Sequence, residues 1–253
     1  DRPLCDYSTV DAGKVRDALI DRGLSVLPDR RIFTTVKAVI NLAIAEHGLD
    51  IRNAFSAIYM PEAESKKRVS IPVETIRQIQ QSCVEHDDDM RWLIALISDT
   101  GMRLAEAAGL HIEDLRLDED IPYVDIKPHP WRSLKTRGSQ RQVPLVGASL
   151  WAAQRIKENA SSCFAFPRYT DNSRCNANSA SNALNKWLHA NYRKDIVIHG
   201  FRHAMRDLLR AASCPSEMID QIGGWSSGKV GEGYGEGYLL PQKIQHIAKL
   251  CDW

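Results

Sequence analysis

The sequence of 253 residues lacks several features that would quickly define its class. No apolar run approaches the ~20 residues that a membrane-spanning helix requires, and no basic, apolar signal sequence stands at its start. Its six cysteines are scattered and form no C-x-x-C pair. In a chain of this length, such cysteines favour reduced thiols over a disulfide framework. We therefore expect a cytoplasmic protein that does not interact with a membrane.

Motifs for nucleotide, metal and serine-hydrolase chemistry are also missing. Neither G-x-x-x-x-G-K-[ST] nor G-x-S-x-G occurs, and the glycine-rich stretch from Gly231 has Glu236 where a G-x-G-x-x-G motif needs glycine. His199 and His203 have the spacing of a zinc-protease helix, but Gly200 stands where H-E-x-x-H has glutamate. We therefore expect neither a metal nor a cofactor.

Charge is segregated along the chain, although the formal net charge is only +1. Residues 127–145 contain five cations and no carboxylate, whereas residues 111–120 just before them are strongly acidic. Binding of a polyanion depends on where charge lies and not on its sum. We therefore predict nucleic-acid contacts from four residues of the basic stretch: Lys127, Arg132, Arg137 and Arg141.

The first part of the chain has the pattern of a small helical domain. Residues 8–22 begin with a serine that can cap a helix, and residues 30–47 have helical periodicity. The predicted buried face of the second helix comprises Ile32, Val36, Val39, Ile40 and Ala43. A polar, charged segment with a proline at each end follows. We predict a domain over residues 1–62, a linker over 63–72 and a second domain over 73–253.

The second domain has mainly helical patterns interrupted by two short strand-like segments. "YVDIKPH" and "RQVPLV" flank the basic stretch and predict a hairpin. After Pro241, the apolar residues Ile244, Ile247, Ala248 and Cys251 have the spacing of one face of a tail helix. The predicted fold class is therefore mainly α with a small antiparallel sheet (α+β).

Several cations and histidines are candidates for a site, although each alone is ordinarily a solvated surface group. Arg103 follows a turn in "TGMRLAE", Lys135 lies in the predicted hairpin, and His199 and Arg202 share one helix face. Residues 223–238 hold two tyrosines among many glycines. This glycine-rich stretch is either a loose tail or a flexible segment that delivers a phenol to a reactive centre.

Taken together, four motifs resemble those of the tyrosine recombinases, the phage integrase family. "TGMRLAEAAGL", "LKTRGSQRQVPL", "HGFRHAMRDLL" and "IGGWSSGKVGEGY" occur in the order and approximate spacing of that family. The nucleophilic tyrosine of the family stands about nine residues after a G-[HW] pair. Counting from Trp225 reaches Tyr234, whereas Tyr238 is four residues too late. The resemblance covers roughly residues 70–245.

The resemblance implies that the chain cuts and rejoins DNA by transesterification, without ATP or metal. Tyr234 would attack a backbone phosphate and form a 3′-phosphotyrosine, while the 5′-hydroxyl leaves. Arg103 and Arg202 would bind the phosphate oxygens, because a planar guanidinium can bind two oxygens at once. Lys135 would protonate the leaving oxygen. Glycines near Tyr234 would let it move between a withheld and an attacking position.

Four further roles follow from the same resemblance. His199 would donate to the phosphate or accept the tyrosine proton, and Trp225, which stands where many relatives have histidine, would have a positional role. Glu106 and His203 would orient the cations. In the second domain the resemblance therefore predicts a catalytic domain that ends in a tail helix.

The resemblance also implies partners and an assembly. Residues 1–62 resemble the later helices of the helical, DNA-contacting core-binding domain, and we expect that domain to begin before residue 1. Expected partners are double-stranded DNA and three further copies in a tetramer with exchanged tail helices, in a bacterial or phage-type, nucleoid-associated setting. An accessory DNA-bending protein is left open. Two alternatives also stay open: a DNA-binding relative that does not cleave, and strand relaxation like that of a type IB topoisomerase.

Overall fold

The computed structural model describes residues 2–22, 26–61, 70–225 and 237–250. The chain forms two compact units, residues 1–68 and 69–253, and most of the predicted linker lies outside the described residues. No helix in the described ranges has the length and hydropathy needed to cross a membrane. Each unit is described by itself below.

The described part of the first unit contains two α-helices, a short 3-10 helix (Leu4–Asp6) before them and an irregular segment after them. α1 spans Thr9–Asp21 and α2 spans Val26–Glu46. The predicted cap of α1 is present, because Ser8 Oγ accepts a hydrogen bond from the backbone N–H of Asp11 at 3.3 Å. The Asp11 carboxylate in turn accepts from the Ser8 backbone N–H at 3.0 Å. This reciprocal capping box stabilises the start of the helix.

The buried face of α2 differs from the predicted one. Val36 and Ile40 pack against the small core as expected, but Ile32 and Val39 are 42% and 61% exposed. The inward face is set by Phe33, which is 4% exposed and lies 5.3 Å from the Phe55 ring between centroids. An aromatic ring buries more apolar area than an isoleucine. The helix is therefore rotated about its axis so that Phe33, one residue after Ile32, faces the core.

The second unit is built around a helix that is buried on all sides. The α-helices in its described residues are α3 (Val73–His86), α4 (Asp89–Thr100), α5 (Leu104–Ala108), α6 (Gly147–Glu158), α7 (Ala177–Asn191), α8 (Ile198–Ala211), α9 (Ser216–Gly223) and α10 (Leu240–Ile247). The eight residues Leu93–Thr100 of α4 are all buried. α4 packs mainly against α3, α6 and α8.

A three-stranded antiparallel sheet lies between α5 and α6 in the sequence. Its strands are β1 (Leu115–Arg116), β2 (Tyr123–Ile126) and β3 (Arg141–Pro144), in the order β1-β2-β3. Val124 pairs with Val143, and Ile126 pairs with Arg141. The predicted hairpin and the predicted fold class are therefore confirmed. The two-residue β1 was not predicted, because its segment is short, acidic and without strand alternation.

The tail helix α10 packs on its own unit. Ile247 and Leu250 are buried, and Lys243 Nζ donates to the Gln142 carbonyl of β3 at 3.2 Å. In the single chain this helix packs on its own unit, and its docking on a neighbouring subunit remains a prediction. Its apolar face already has a partner within the chain, and exchange would require these contacts to be released. The predicted tail residue Cys251 lies outside the described residues.

Candidate active site

The junction between α4 and α5 places Arg103. α4 ends at Gly101, which has the left-handed backbone conformation with φ of 60°. A Cβ atom at this position would lie 2.5 Å from Met205 Sδ in α8. The left-handed backbone conformation therefore favours glycine here, and the Met205 side chain leaves little room for a larger residue. Arg103 then immediately precedes the first residue of α5.

Arg103 is held by three neighbours. Its Nη1 donates to Glu106 Oε1 at 2.7 Å and to Ser139 Oγ at 3.2 Å, and its Nη2 donates to the Gly224 carbonyl at 2.8 Å. Glu106 Oε2 also accepts from the Arg103 backbone N–H at 2.9 Å. These contacts fix a guanidinium that is still 23% exposed. They support the predicted orienting role of Glu106.

Arg141 is an interior residue and not a surface contact for DNA as predicted. It is 8% exposed, and its three nitrogens donate to the Ile222 carbonyl, the Ser139 carbonyl and Glu106 Oε2 at 2.7, 2.7 and 2.9 Å. The sequence carried a signal for this burial. In a strand, alternate residues share a face, so Arg141 lies on the same side of β3 as the buried Val143.

The predicted DNA contacts of Arg132 and Lys127 need revision as well. Arg132 is 4% exposed and its Nη2 donates to the Lys127 carbonyl at 2.6 Å. Burial lowers its pKa. Lys127 is one-third exposed, but its ammonium pairs with Asp114 at 3.1 Å and with Asp125 at 3.4 Å. Arg132 is therefore an interior residue, and Lys127 forms ion pairs at the base of the hairpin. Neither is mainly part of an outward basic patch.

Arg202 is the most deeply placed of the predicted phosphate-binding residues. It is 2% exposed and its Nη1 donates to the Gly101 carbonyl at 2.7 Å. Its buried Nη2 has no hydrogen-bond partner among the described residues. Burial, followed by the charges of Arg103 and Arg141, lowers the pKa of Arg202 to about 9. A buried cationic donor without a partner is costly, so this position favours an anionic ligand.

The Trp225 indole covers the guanidinium of Arg202. The centre of its ring lies 4.2 Å from Arg202 Cζ and 4.9 Å from Arg206 Cζ. This contact agrees with a positional role for Trp225. Arg206 itself was not predicted, although it follows Arg202 by four residues on the same helix face. It forms an ion pair with Asp220 at 3.0 Å, which links α8 to α9.

The two histidines lie side by side on the exposed part of α8. His199 and His203 are both exposed, and their ring centroids are 4.9 Å apart in an edge-to-face arrangement. Within the described ranges, no three His, Cys, Asp or Glu side chains could hold a metal ion. The roles predicted for the two histidines remain predictions.

The remaining predicted residues lie in two segments. Lys135 is exposed in the connection between β2 and β3, as the hairpin prediction required. The side chain of Arg137 and the whole of Tyr234 lie outside what the structure describes. Tyr238 is partly buried against the core, and its backbone N–H donates to Gln221 Oε1 at 2.8 Å. Its predicted packing role is therefore confirmed.

The cluster as a whole carries more positive than negative charge. Among the described residues, Arg103 and Arg141 pair with the almost fully buried carboxylate Glu106, and the charge of Arg202 lies near enough to interact with both guanidiniums. Burial opposes ionisation of Glu106, but Arg141 and Arg103 outweigh it and lower its pKa, so it is ionised at neutral pH. Three fixed cations and one anion leave an excess charge that can bind an oxyanion.

The sequence matches a family model described as the phage integrase family over residues 70–235. This match covers well over half of the chain and includes every member of the cluster. The chain therefore belongs to the phage integrase family, whose members are the tyrosine recombinases. Membership implies cleavage and rejoining of DNA strands.

Curated relatives of the chain include tyrosine recombinases. It is 24% identical over 218 residues to tyrosine recombinase XerC of Neisseria meningitidis serogroup C / serotype 2a, a match that covers 83% of this chain and 67% of that protein. The XerC of serogroup B has the same identity over the same coverage.

Solved integrase structures share the fold. The Tn1549 transposon integrase in complex with a circular intermediate DNA has a TM-score of 0.67 at 17% identity, over 98% of this chain and 87% of that chain. A lambda integrase tetramer bound to a Holliday junction has a TM-score of 0.62 at 17% identity, over 91% of this chain and 67% of that chain. These likenesses concern the fold.

Proposed function

We propose that the protein is a site-specific DNA recombinase that cleaves and rejoins double-stranded DNA through a 3′-phosphotyrosine at Tyr234, for integration or excision of a mobile element. The observation that carries the proposal is the unpartnered Nη2 of Arg202, buried beside Arg103 and Arg141. A DNA phosphate supplies the negative oxygens that this donor lacks. No ATP or metal enters the proposed reaction, because the ester energy is kept in the phosphotyrosine.

Fixed cations address the main cost of this reaction. A free tyrosine has a pKa near 10, so forming the phenolate at pH 7 costs about 4 kcal/mol. Charge also builds up on the phosphate oxygens as the nucleophile arrives. Arg103 and Arg202 are held by carbonyl and carboxylate acceptors of the chain itself, so they need little rearrangement to stabilise that charge. Loss of one such donor typically slows a reaction ~10²- to 10³-fold.

Two exposed side chains, Lys135 and His199, would transfer the protons of the reaction. Lys135, on the exposed β2–β3 connection, would protonate the leaving 5′-oxygen. His199 on α8 would donate to the phosphate or accept the phenol proton. Trp225 has no base to offer, so it would act by packing on Arg202.

The proposed partners are double-stranded DNA and further copies of the chain. The related folds include an integrase in complex with a circular intermediate DNA and an integrase tetramer bound to a Holliday junction. We accordingly propose that four copies act on two DNA duplexes. Residues 1–62 would contact DNA as part of a core-binding domain, and 73–253 would form the catalytic domain.

A covalent-adduct assay tests the proposal. The protein is mixed with DNA that carries its site and a nick close to the cleavage position, so that the released fragment diffuses away. Denaturing electrophoresis should show a protein–DNA adduct that Tyr234→Phe abolishes. Tyr238→Phe is the matched control, because this tyrosine packs against the core, and it should still form the adduct.

Three other results of this assay and of a relaxation assay would contradict the proposal. An adduct that survives Tyr234→Phe overturns the assigned nucleophile. Site-specific binding without an adduct in the wild type would identify a relative that does not cleave. Relaxation of supercoiled DNA without sequence preference or strand exchange would indicate topoisomerase activity in place of recombination.

A further inference from the structure

Arg141 occupies the point where three elements of the site meet. It is the first residue of β3, directly after the connection that carries Lys135, and it is 8% exposed. It pairs with Ile126 across the sheet. Because the sheet fixes its backbone, its guanidinium is held against the interior behind Arg103.

Each nitrogen of this guanidinium donates to a different acceptor. Nη1 donates to the Ser139 carbonyl in the hairpin connection at 2.7 Å, Nη2 donates to Glu106 Oε2 in α5 at 2.9 Å, and Nε donates to the Ile222 carbonyl near the end of α9 at 2.7 Å. One side chain thereby forms hydrogen bonds with three segments: the connection after β2, the start of α5 and the end of α9.

Arg103 contacts the same three places from the other side. It donates to Glu106 Oε1, to Ser139 Oγ and to the Gly224 carbonyl. The two guanidiniums therefore share one carboxylate and hold the same turn, residues 222–225, from which the chain continues toward Tyr234. Loss of Arg141 would remove the side-chain donor of the Ile222 carbonyl and leave Glu106 Oε2 with the Arg103 backbone N–H alone.

Gly224 gives independent support for the fit around Arg141. Its φ is 62°, in the left-handed region, and a Cβ atom added there would lie 2.7 Å from Arg141 Nη1. The turn thus has the one residue type that leaves room for the guanidinium.

We propose that Arg141 is a positioning residue: it fixes the Glu106 carboxylate and the 222–225 turn, so that Arg103 and the nucleophile segment keep their alignment. This inference rests on the proposed strand cleavage. Arg141 does not touch the DNA in this role. A lysine cannot replace it, because a single ammonium nitrogen cannot reach three acceptors that face three separate nitrogens of a planar fork.

Single-turnover cleavage of nicked site DNA tests the role. Arg141→Lys should cleave about 10²-fold more slowly while its Kd for the site stays within about threefold of the wild type. Arg155→Lys is the matched control, since Arg155 also makes three bonds, to Asp87 and Glu158, but on the exposed face of α6. It should cleave at the wild-type rate. An Arg141→Lys variant with the wild-type rate overturns the inference.

A second substrate separates the two routes by which Arg141 could act. Replacing the bridging 5′-oxygen by sulfur creates a better leaving group that needs no proton from Lys135. If Arg141 acts through Arg103 and the turn, Arg141→Lys stays about 10²-fold slower than the wild type on this substrate too. Recovery to the wild-type rate would place its action in the hairpin and overturn the proposal.

Gly224→Ala is a second variant that disturbs the same contact, and it tests the role of Arg141 even where Arg141→Lys does not fold. The added methyl displaces the guanidinium without removing it, so cleavage should slow while binding persists. In a folding background, Arg141→Lys combined with Gly224→Ala should be no slower than the slower single variant, since both act through one contact. A wild-type rate for Gly224→Ala overturns the inference. An absence of adduct in the wild type would instead refute the proposed function.

Discussion

The indole of Trp225 lies 4.2 Å from Arg202 Cζ and covers one face of that buried guanidinium. Arg202 makes one bond to the Gly101 carbonyl and leaves Nη2 without a partner among the described residues. A π face can stabilise a desolvated cation by about 2 kcal/mol without occupying its N–H donors. Trp225 therefore keeps the guanidinium in place while leaving a donor available for a ligand.

Replacing Trp225 by alanine should slow strand cleavage by about tenfold or more, because it removes the stabilising π face. Trp225→Phe keeps an aromatic face and should lose much less. The measurement is single-turnover adduct formation, with the Kd for DNA determined in parallel. Equal rates for the alanine and phenylalanine variants would show that the ring does not position Arg202.

Replacing Arg202 by methionine should abolish cleavage but stabilise the free protein. Exchanging a buried, incompletely paired charge for an apolar side chain of similar length commonly stabilises by about 1–3 kcal/mol. Urea denaturation measures the free energy of unfolding. Added inorganic phosphate should stabilise the wild type more than the variant, because it fills the oxyanion site. Equal stabilisation of both would contradict the proposed site.

Asp99 should make stability depend on pH. It is buried in α4, accepts hydrogen bonds from Gln80 Nε2 at 2.7 Å and from the Ser149 N–H at 3.2 Å, and burial raises its pKa to about 6 from 3.8. Between these two pH values the folded state binds the proton and the unfolded state does not. Its destabilising effect is therefore complete above pH 6 and disappears as the pH falls toward 4.

The Asp99→Asn variant isolates this effect. Relative to the wild type, its stability advantage should be about 2 kcal/mol larger at pH 7.5 than at pH 4.5, because most of the gap of about two units between the folded and unfolded pKa values of Asp99 is crossed in this range. Urea denaturation at several pH values provides the comparison. A stability difference that does not vary with pH would show that the Asp99 carboxyl titrates alike in both states.

The burial of Arg132 changes what its substitution should do. Arg132→Gln should destabilise the fold by about 1–3 kcal/mol by disturbing a buried hydrogen bond, and it should leave the salt dependence of DNA binding unchanged. Arg137→Gln, at a position of the predicted basic patch, should lower the slope of log Kd against log salt by about one. A lower slope for Arg132→Gln would place that side chain on DNA after all.

The sequence was sufficient for the elements whose pattern is local. The Ser8 cap and the hairpin strands β2 and β3 follow from the pattern of neighbouring residues, whereas the pairing of Arg103 with Glu106 was implied by the family resemblance. The order of the four motifs was enough to recognise the family. Local patterns of this kind depend on few tertiary contacts.

The sequence-based predictions were wrong at positions where tertiary packing decides what a charged or apolar residue contacts. Arg132 and Arg141 were predicted to be outward cations because they lie in a basic stretch, yet each is buried. The alternation of buried and exposed residues along β3 indicates an inward Arg141, which a count of charges along the sequence does not register. In α2, the choice between Ile32 and Phe33 depended on Phe55, a partner beyond the end of the helix.

The position of α10 beside β3 affects the tendency of the protein to self-associate. β3 is one of the two edge strands of the sheet, and an uncovered edge strand is a template for pairing with another chain. The Lys243 ammonium occupies the Gln142 carbonyl on this strand, and Ile247 is buried beside it. α10 thereby covers this edge of the sheet, and we expect a variant that lacks α10 to self-associate through β3.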